Sequence, residues 1–147
     1  MQGHAIAQSN LGMMYSNGRG VVQDYQEAVK WFRQAAMQGN AQVQFNLGVM
    51  YANGRGVAQD YQDAAKWYRL AAMQGNAQAQ FNLGVMYANG RGVAQDYQEV
   101  VKWYRLAAAQ GNAVAQSNLG AMYDDGQGVP SSRVAAYALY NFAAAND

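Results

Sequence analysis

The chain has 147 residues, with ten lysines and arginines against nine aspartates and glutamates and no cysteine. This near-neutral balance offers no surface suited to nucleic acid or an anionic membrane, and the lack of thiols excludes disulfides, thiolate catalysis and cysteine zinc sites. Apolar residues make up 51 %, enough to fill a core, but no run of ~18 of them predicts membrane insertion.

The N-terminal stretch Met1 to Gln8 lacks the basic and apolar regions of a signal peptide. Localisation is therefore open: periplasmic or secreted where a leader has been removed, cytoplasmic otherwise. From Asn10 the sequence reads Asn-Leu-Gly-x-Met-Tyr, and this returns at Asn46, Asn82 and Asn118, 36 residues apart. Such self-similarity defines a repeat array. It organises 1–147 as a single repeat domain of units about 5–40, 41–76, 77–112 and 113–147. Units 41–76 and 77–112 differ at five of 36 positions, each conservatively, so they are expected to be near-copies in structure.

Within a unit the apolar spacing is helical. In the second, Ala41, Gln44, Leu47, Gly48 and Tyr51 follow steps of three and four, and Ala64, Trp67, Tyr68, Ala71 and Ala72 do the same. A helix A over roughly 41–52 and a helix B over roughly 60–74 are predicted, with equivalents in the other units. Asp60 is placed to cap helix B, and Asp24/Glu27 and Asp96/Glu99 complete capping boxes. Gly75 ends helix B and Asn76 caps the next helix A. Glu27/Lys30, Asp63/Lys66 and Glu99/Lys102 stand at i,i+3, acids first, as the helix dipole prefers.

Between the helices runs YANGRGVAQDY, at 51–61 and again at 87–97, with YSNGRGVVQDY at 15–25. A phosphate-binding loop needs a Lys and a hydroxyl after its last glycine, but Gly56 is followed by Val-Ala-Gln. The loop therefore reads as a chain reversal: Asn53-Gly54 ends helix A, Gly56 allows a second turn and Val57 anchors it in the core. The fourth unit keeps Gly126 and Gly128 and leads into its last helix with Pro130-Ser131-Ser132.

Other candidate chemistry is sparse. His4, the sole histidine, falls where the other units have Asn40, Asn76 and Asn112, so it is expected as a helix cap or surface residue and not as a ligand. Asp124 and Asp125 are adjacent, the pattern of a solvated turn and not of acid/base catalysis. Trp31, Trp67 and Trp103, with Phe32, Tyr68 and Tyr104, form an aromatic ladder, read first as packing of helix B and second as a stacking platform for sugars or bases. Asn10, Asn46, Asn82 and Asn118 are either buried, bonding the backbone of an adjacent helix, or exposed to hold a peptide amide; architecture is favoured. No catalytic residue, metal site or cofactor is predicted.

The pattern AQxxLGxMYxxGxGVxxDYxxAxxWYRxAAxQG, almost intact three times and partial a fourth, resembles the Sel-one-like (Sel1-like) repeat, a longer relative of the tetratricopeptide repeat. The resemblance covers essentially the whole chain and implies an all-α, right-handed α/α superhelical solenoid of about four 36-residue helix-turn-helix repeats. Leu47, Gly48 and Tyr51 match the helix A signature, and Ala64, Tyr68 and Ala71 the small-aromatic-small positions of helix B. By analogy with tetratricopeptide grooves, a concave wall of A helices would carry Gln42, Phe45, Val49, Ala52 and Asn53, then Gln78, Phe81, Val85, Ala88 and Asn89. The outer units would add Ile6, Ser9 and Met13, and Val114, Ser117 and Ala121.

All ten Lys and Arg fall on loops or B helices, leaving this wall apolar and amide-rich. It has no basic clamp for a terminal carboxylate, so a partner helix or peptide with apolar anchors fits better. The family implies a non-enzymatic protein-interaction scaffold, and the Ala/Gln-rich repeats look bacterial. Some bacterial members are disulfide-stapled with penicillin binding proposed, and those staples are absent here. The alternative is a self-assembling structural protein; an enzyme or small-ligand binder lacks a nucleophile, base and metal set. Met1-Gln2-Gly3 aligns with Met37-Gln38-Gly39, and the stretch from Val134 to Asn146 carries no charge. The expectation is either a segment of a longer array or end faces that pack on another copy, burying Tyr137, Tyr140 or Phe142.

Overall fold

The computed structural model describes residues 2–146, and among them eight helices and no strand. In chain order these are α1 (Gln2–Asn17), α2 (Tyr25–Ala36), α3 (Ala41–Asn53), α4 (Tyr61–Met73), α5 (Ala77–Asn89), α6 (Tyr97–Ala109), α7 (Ala113–Asp125) and α8 (Arg133–Asn146). Odd-numbered helices are the A helices and even-numbered ones the B helices.

Local chemistry sets the boundaries. Asp24, Asp60 and Asp96 sit in extended backbone and each accepts two amides of the first turn of α2, α4 and α6. Asn40, Asn76 and Asn112 cap α3, α5 and α7 with one amide each. Capping of this kind satisfies donors that a helix leaves unpaired and is worth about 1 kcal/mol per cap. α8 starts differently: the Ser132 hydroxyl accepts from the Ala135 amide at 3.3 Å. α1 departs from expectation. It extends back to Gln2, so His4 lies exposed inside the helix, the surface position of the two expected and not the cap.

Two compact units divide the chain, one ending at Gln74 and the other beginning at Gly75. In the first, α1 packs on α2 and α3 on α4, with α3 also against α2; in the second, α5 pairs with α6 and α7 with α8, with α7 against α6. Each hairpin closes on a helix A glycine. At Gly48 an added Cβ would lie 2.6 Å from the Tyr68 ring, and Gly84 stands the same way against Tyr104. The bare backbone is what lets the aromatic ring lie flat on the helix, and Phe32, Tyr68 and Tyr104 are consequently almost fully buried. Leu47 and Leu83, wholly buried beside these glycines, each contribute roughly 2 kcal/mol by leaving water.

Candidate functional site

The interhelical loop is an architectural joint. Gly54 ends α3 in the left-handed region at φ 65°, and its amide donates to the Met50 carbonyl. Gly56 follows at φ 71°, where a Cβ would stand 2.1 Å from the Tyr25 carbonyl oxygen at the start of the preceding repeat's helix B. Gly128 makes the equivalent approach to Tyr97 at 2.5 Å. In these two loops the second glycine thus seats the turn on the repeat before it. Val57 is half-buried beneath the turn.

A second joint is a ladder of amides. Gln44, Gln80 and Gln116 are buried inside α3, α5 and α7. Gln44 donates to the Ala36 carbonyl at 3.1 Å and Gln116 to the Ala108 carbonyl at 3.0 Å, satisfying the C-terminal end of the preceding helix B. The oxygens of Gln44, Gln80 and Gln116 accept from Gln74, Gln110 and Asn146 at 2.7, 2.8 and 3.2 Å. Sequence reasoning placed Gln44 on a helical stripe without seeing its role. Its recurrence at 36-residue spacing among apolar neighbours was the available signal.

The asparagine ladder is not uniform along the chain. Asn46, Asn82 and Asn118 are half-buried and Asn10 is exposed. Asn46 accepts from Gln42 at 3.1 Å, and the Asn118 side chain bonds the Tyr104 hydroxyl. Asn46 and Asn118 thus each bond a side chain. Burial holds the Tyr104 hydroxyl above its ordinary pKa, moderated by Asn118. A third set joins helix B to the next helix A: Arg33 to the Tyr51 hydroxyl, and Arg105 to that of Tyr123 at 2.5 Å. The i,i+3 ion pairs form as read, Lys66 to Asp63 at 2.8 Å and Lys102 to Glu99 at 3.1 Å, all on exposed surface where such pairs add little.

The predicted wall residues take two environments. Phe45 and Phe81 are half-buried, Phe45 tilted against Tyr68 and Phe81 stacked on Tyr104, with ring centroids 5.8 and 5.6 Å apart. Val49 and Val85 are half-buried beside them, while Gln42, Asn53, Gln78 and Asn89 are exposed. Asn89 turns back to donate to the Val85 carbonyl at 3.0 Å. In the first unit a cavity of about 290 Å³ opens between α1 and α3, where Met13, Phe45, Asn46 and Val49 meet Tyr25 and Arg55. Gln42 and Asn53 are not among its lining residues. The aromatic ladder splits likewise: Phe32, Tyr68 and Tyr104 are core, Trp103 is buried, and Trp31 and Trp67 are half-buried. Asp124 and Asp125 are exposed in the last turn of α7, and Asp124 accepts from the Tyr140 hydroxyl at 3.1 Å.

Among the described residues no group of three His, Cys, Asp or Glu is placed to hold a metal, and no helix is long and apolar enough to cross a membrane. Four helical hairpins, two in each compact unit and joined there by side-chain ladders, define a helical-repeat protein of the solenoid class. The sequence matches the Sel1 repeat at residues 5–40, 41–76, 77–112 and 113–147, and the chain belongs to that family. Similar solved structures include c5321, a protective antigen of uropathogenic Escherichia coli with the same repeat fold (44 % identity, TM-score 0.94, covering 98 % of this chain and 31 % of that one). A Sel1 repeat protein from Oxalobacter formigenes is 38 % identical with a TM-score of 0.91 over 96 % of this chain and 56 % of its own. Helicobacter pylori cysteine rich protein B shares the fold at 23 % identity, with a TM-score of 0.64 over 78 % of this chain and 87 % of that one. The chain thus spans 31 % and 56 % of the lengths of the first two. No curated protein matches it. Proteins of this repeat fold are in general protein-interaction scaffolds.

Proposed function

We propose that this protein is a non-enzymatic scaffold that binds a peptide or helix of a partner protein along the wall of its A helices. The observation that carries this reading is the cavity between α1 and α3: an apolar floor of Met13, Phe45 and Val49, with the Asn46 amide at hand and exposed Gln42 nearby. Apolar anchors entering such a floor would gain burial, and an amide at the edge pairs with the backbone of the ligand. Phe81 and Val85 repeat the floor in the second unit. The partner's identity is set first by its apolar anchors, with Arg55 as a cation at the edge of the cavity.

The test is a pull-down with the intact chain against Met13→Glu and Phe45→Glu, each checked for unchanged helicity and thermal midpoint. Partners held by the parent and lost by both variants support the wall; partners retained by both refute it. A second reading, self-assembly, draws on Tyr137, 70 % exposed on α8 at the position where α6 buries Val101. Sedimentation distinguishes it: concentration-dependent association abolished by Tyr137→Glu favours assembly, and a monomer at all concentrations excludes it.

A further inference from the structure

The B helices place a tryptophan at residues 31, 67 and 103, but the fourth repeat has Leu139 at that position. A second change accompanies it, for Ala135 stands where α6 has Glu99. In α6 the Trp103 indole is 5 % exposed and its Nε1 donates to Glu99 Oε2 at 2.9 Å. In α8 both the ring and its acceptor are gone. Ala135 and Leu139 both line a cavity of about 630 Å³ between the end of α6, α7 and α8.

We infer that this cavity is a socket for the indole of a tryptophan carried by a partner protein, seated where the preceding repeats place their own. The floor suits a flat apolar ring, being made of Ala108, Leu119, Leu139 and Phe142. At its rim the Arg105 guanidinium lies 5.8 Å from the Tyr123 ring centre and donates to its hydroxyl, which holds a cation beside the place an aromatic face would occupy. Gln116 Oε1 also lines the cavity. It accepts from Asn146 and keeps a second lone pair for an indole N–H, replacing the acceptor lost with Glu99. That lone pair favours tryptophan over phenylalanine. The socket is separate from the A-helix wall, since α7 turns Gln116, Leu119 and Tyr123 into it, whereas the wall positions are Val114, Ser117 and Ala121.

The probe is N-acetyl-tryptophanamide, titrated into the full chain and followed by methyl NMR, with N-acetyl-alaninamide as reference. Saturable shifts at Leu139, Ala108 and Leu119, absent with the alanine compound, are expected. Leu139→Trp fills the socket with the chain's own ring and should abolish those shifts. Arg105→Ala, at an exposed rim position, should keep the fold and weaken binding about fivefold, the loss of one cation–π contact. No saturable shift in the parent, shifts that persist in Leu139→Trp, or equal binding by Arg105→Ala would each overturn the assignment. Because Met13→Glu and Phe45→Glu leave the socket intact, failure of the wall reading and failure of this one are read separately.

Discussion

The third and fourth repeats bury the same stripe of helix A and very different parts of helix B. α5 and α7 both bury the Gln, Leu, Gly and Met of their inner stripe. α6 buries six residues, from Val100 to Ala108, whereas α8 buries Ala136 and Ala143. Tyr140, on the position of Tyr104, is 38 % exposed where Tyr104 is 5 %. The contrast shows how the work of a repeat is divided. Helix A carries the frame through its buried stripe, which α3 and α7 set against both their own helix B and the helix B before it in the same unit. Helix B has one face committed to its helix A and another free to vary with whatever lies beyond. The two candidate partner sites differ accordingly: the Phe and Val of the A-helix wall are shared by the second and third repeats, and the Leu139 socket is particular to the fourth.

The largest expected effect comes from breaking the joint that precedes α8 and rests on the start of α6. Gly128→Ala forces a left-handed backbone at φ 68° and a Cβ 2.5 Å from the Tyr97 carbonyl, so a loss of about 3 kcal/mol is expected by urea unfolding. A loss under about 1 kcal/mol, the amount for backbone strain alone, would mean that the loop does not bear on the preceding repeat. Next, the same substitution separates the two hairpins. Gly84→Ala drives a methyl to 2.6 Å from the buried Tyr104 ring and should cost about 2 kcal/mol, net of the helix propensity it gains. Gly120→Ala meets Tyr140 at 2.8 Å, but that ring can swing into water, so its cost should fall near zero. Equal costs would show that α8 is covered as α6 is.

The smallest effect is a pH dependence. Burial raises the Tyr104 hydroxyl above its ordinary value of 10.0, so the fold favours the neutral form. A raised pKa adds stability that is fully present below pH 10.0 and lost as pH climbs through the folded value. Tyr104→Phe should therefore lose about 1 kcal/mol at neutral pH with the hydrogen bond to Asn118. Its stability should then decline less than the parent's above pH 10.0, measured as the difference between the two unfolding curves. Parallel curves would mean that the hydroxyl reaches water.

Much of this architecture is legible from local chemistry. Asp60 and Asn76 mark helix starts because a cap bonds amides two or three residues away, and Gly54 marks an end because its own backbone torsion is unusual. The 36-residue recurrence then multiplies each signal and sets the number and length of the hairpins. The wall residues were legible only as a stripe. Which of them gather at one cavity depended on the approach of α1 to α3, and Phe45 and Val49 are drawn in while Gln42 and Asn53 are not.

Tertiary structure decided what lies beyond that range. Gln44 and Asn46 are two positions apart and chemically alike, yet the glutamine is the buried joint and the asparagine stays half-exposed. The difference is which one faces the end of the preceding helix B. Gln74 meets Gln44 across 30 residues and Arg33 meets Tyr51 across 18, pairings that no helical period specifies. Likewise the change from tryptophan to Leu139 is visible in sequence, but only the positions of α6 and α7 make it an opening and not a collapsed contact. Caps and turns act within one turn of helix, whereas the stacking of one hairpin on the next is set by side-chain shapes meeting across the joint.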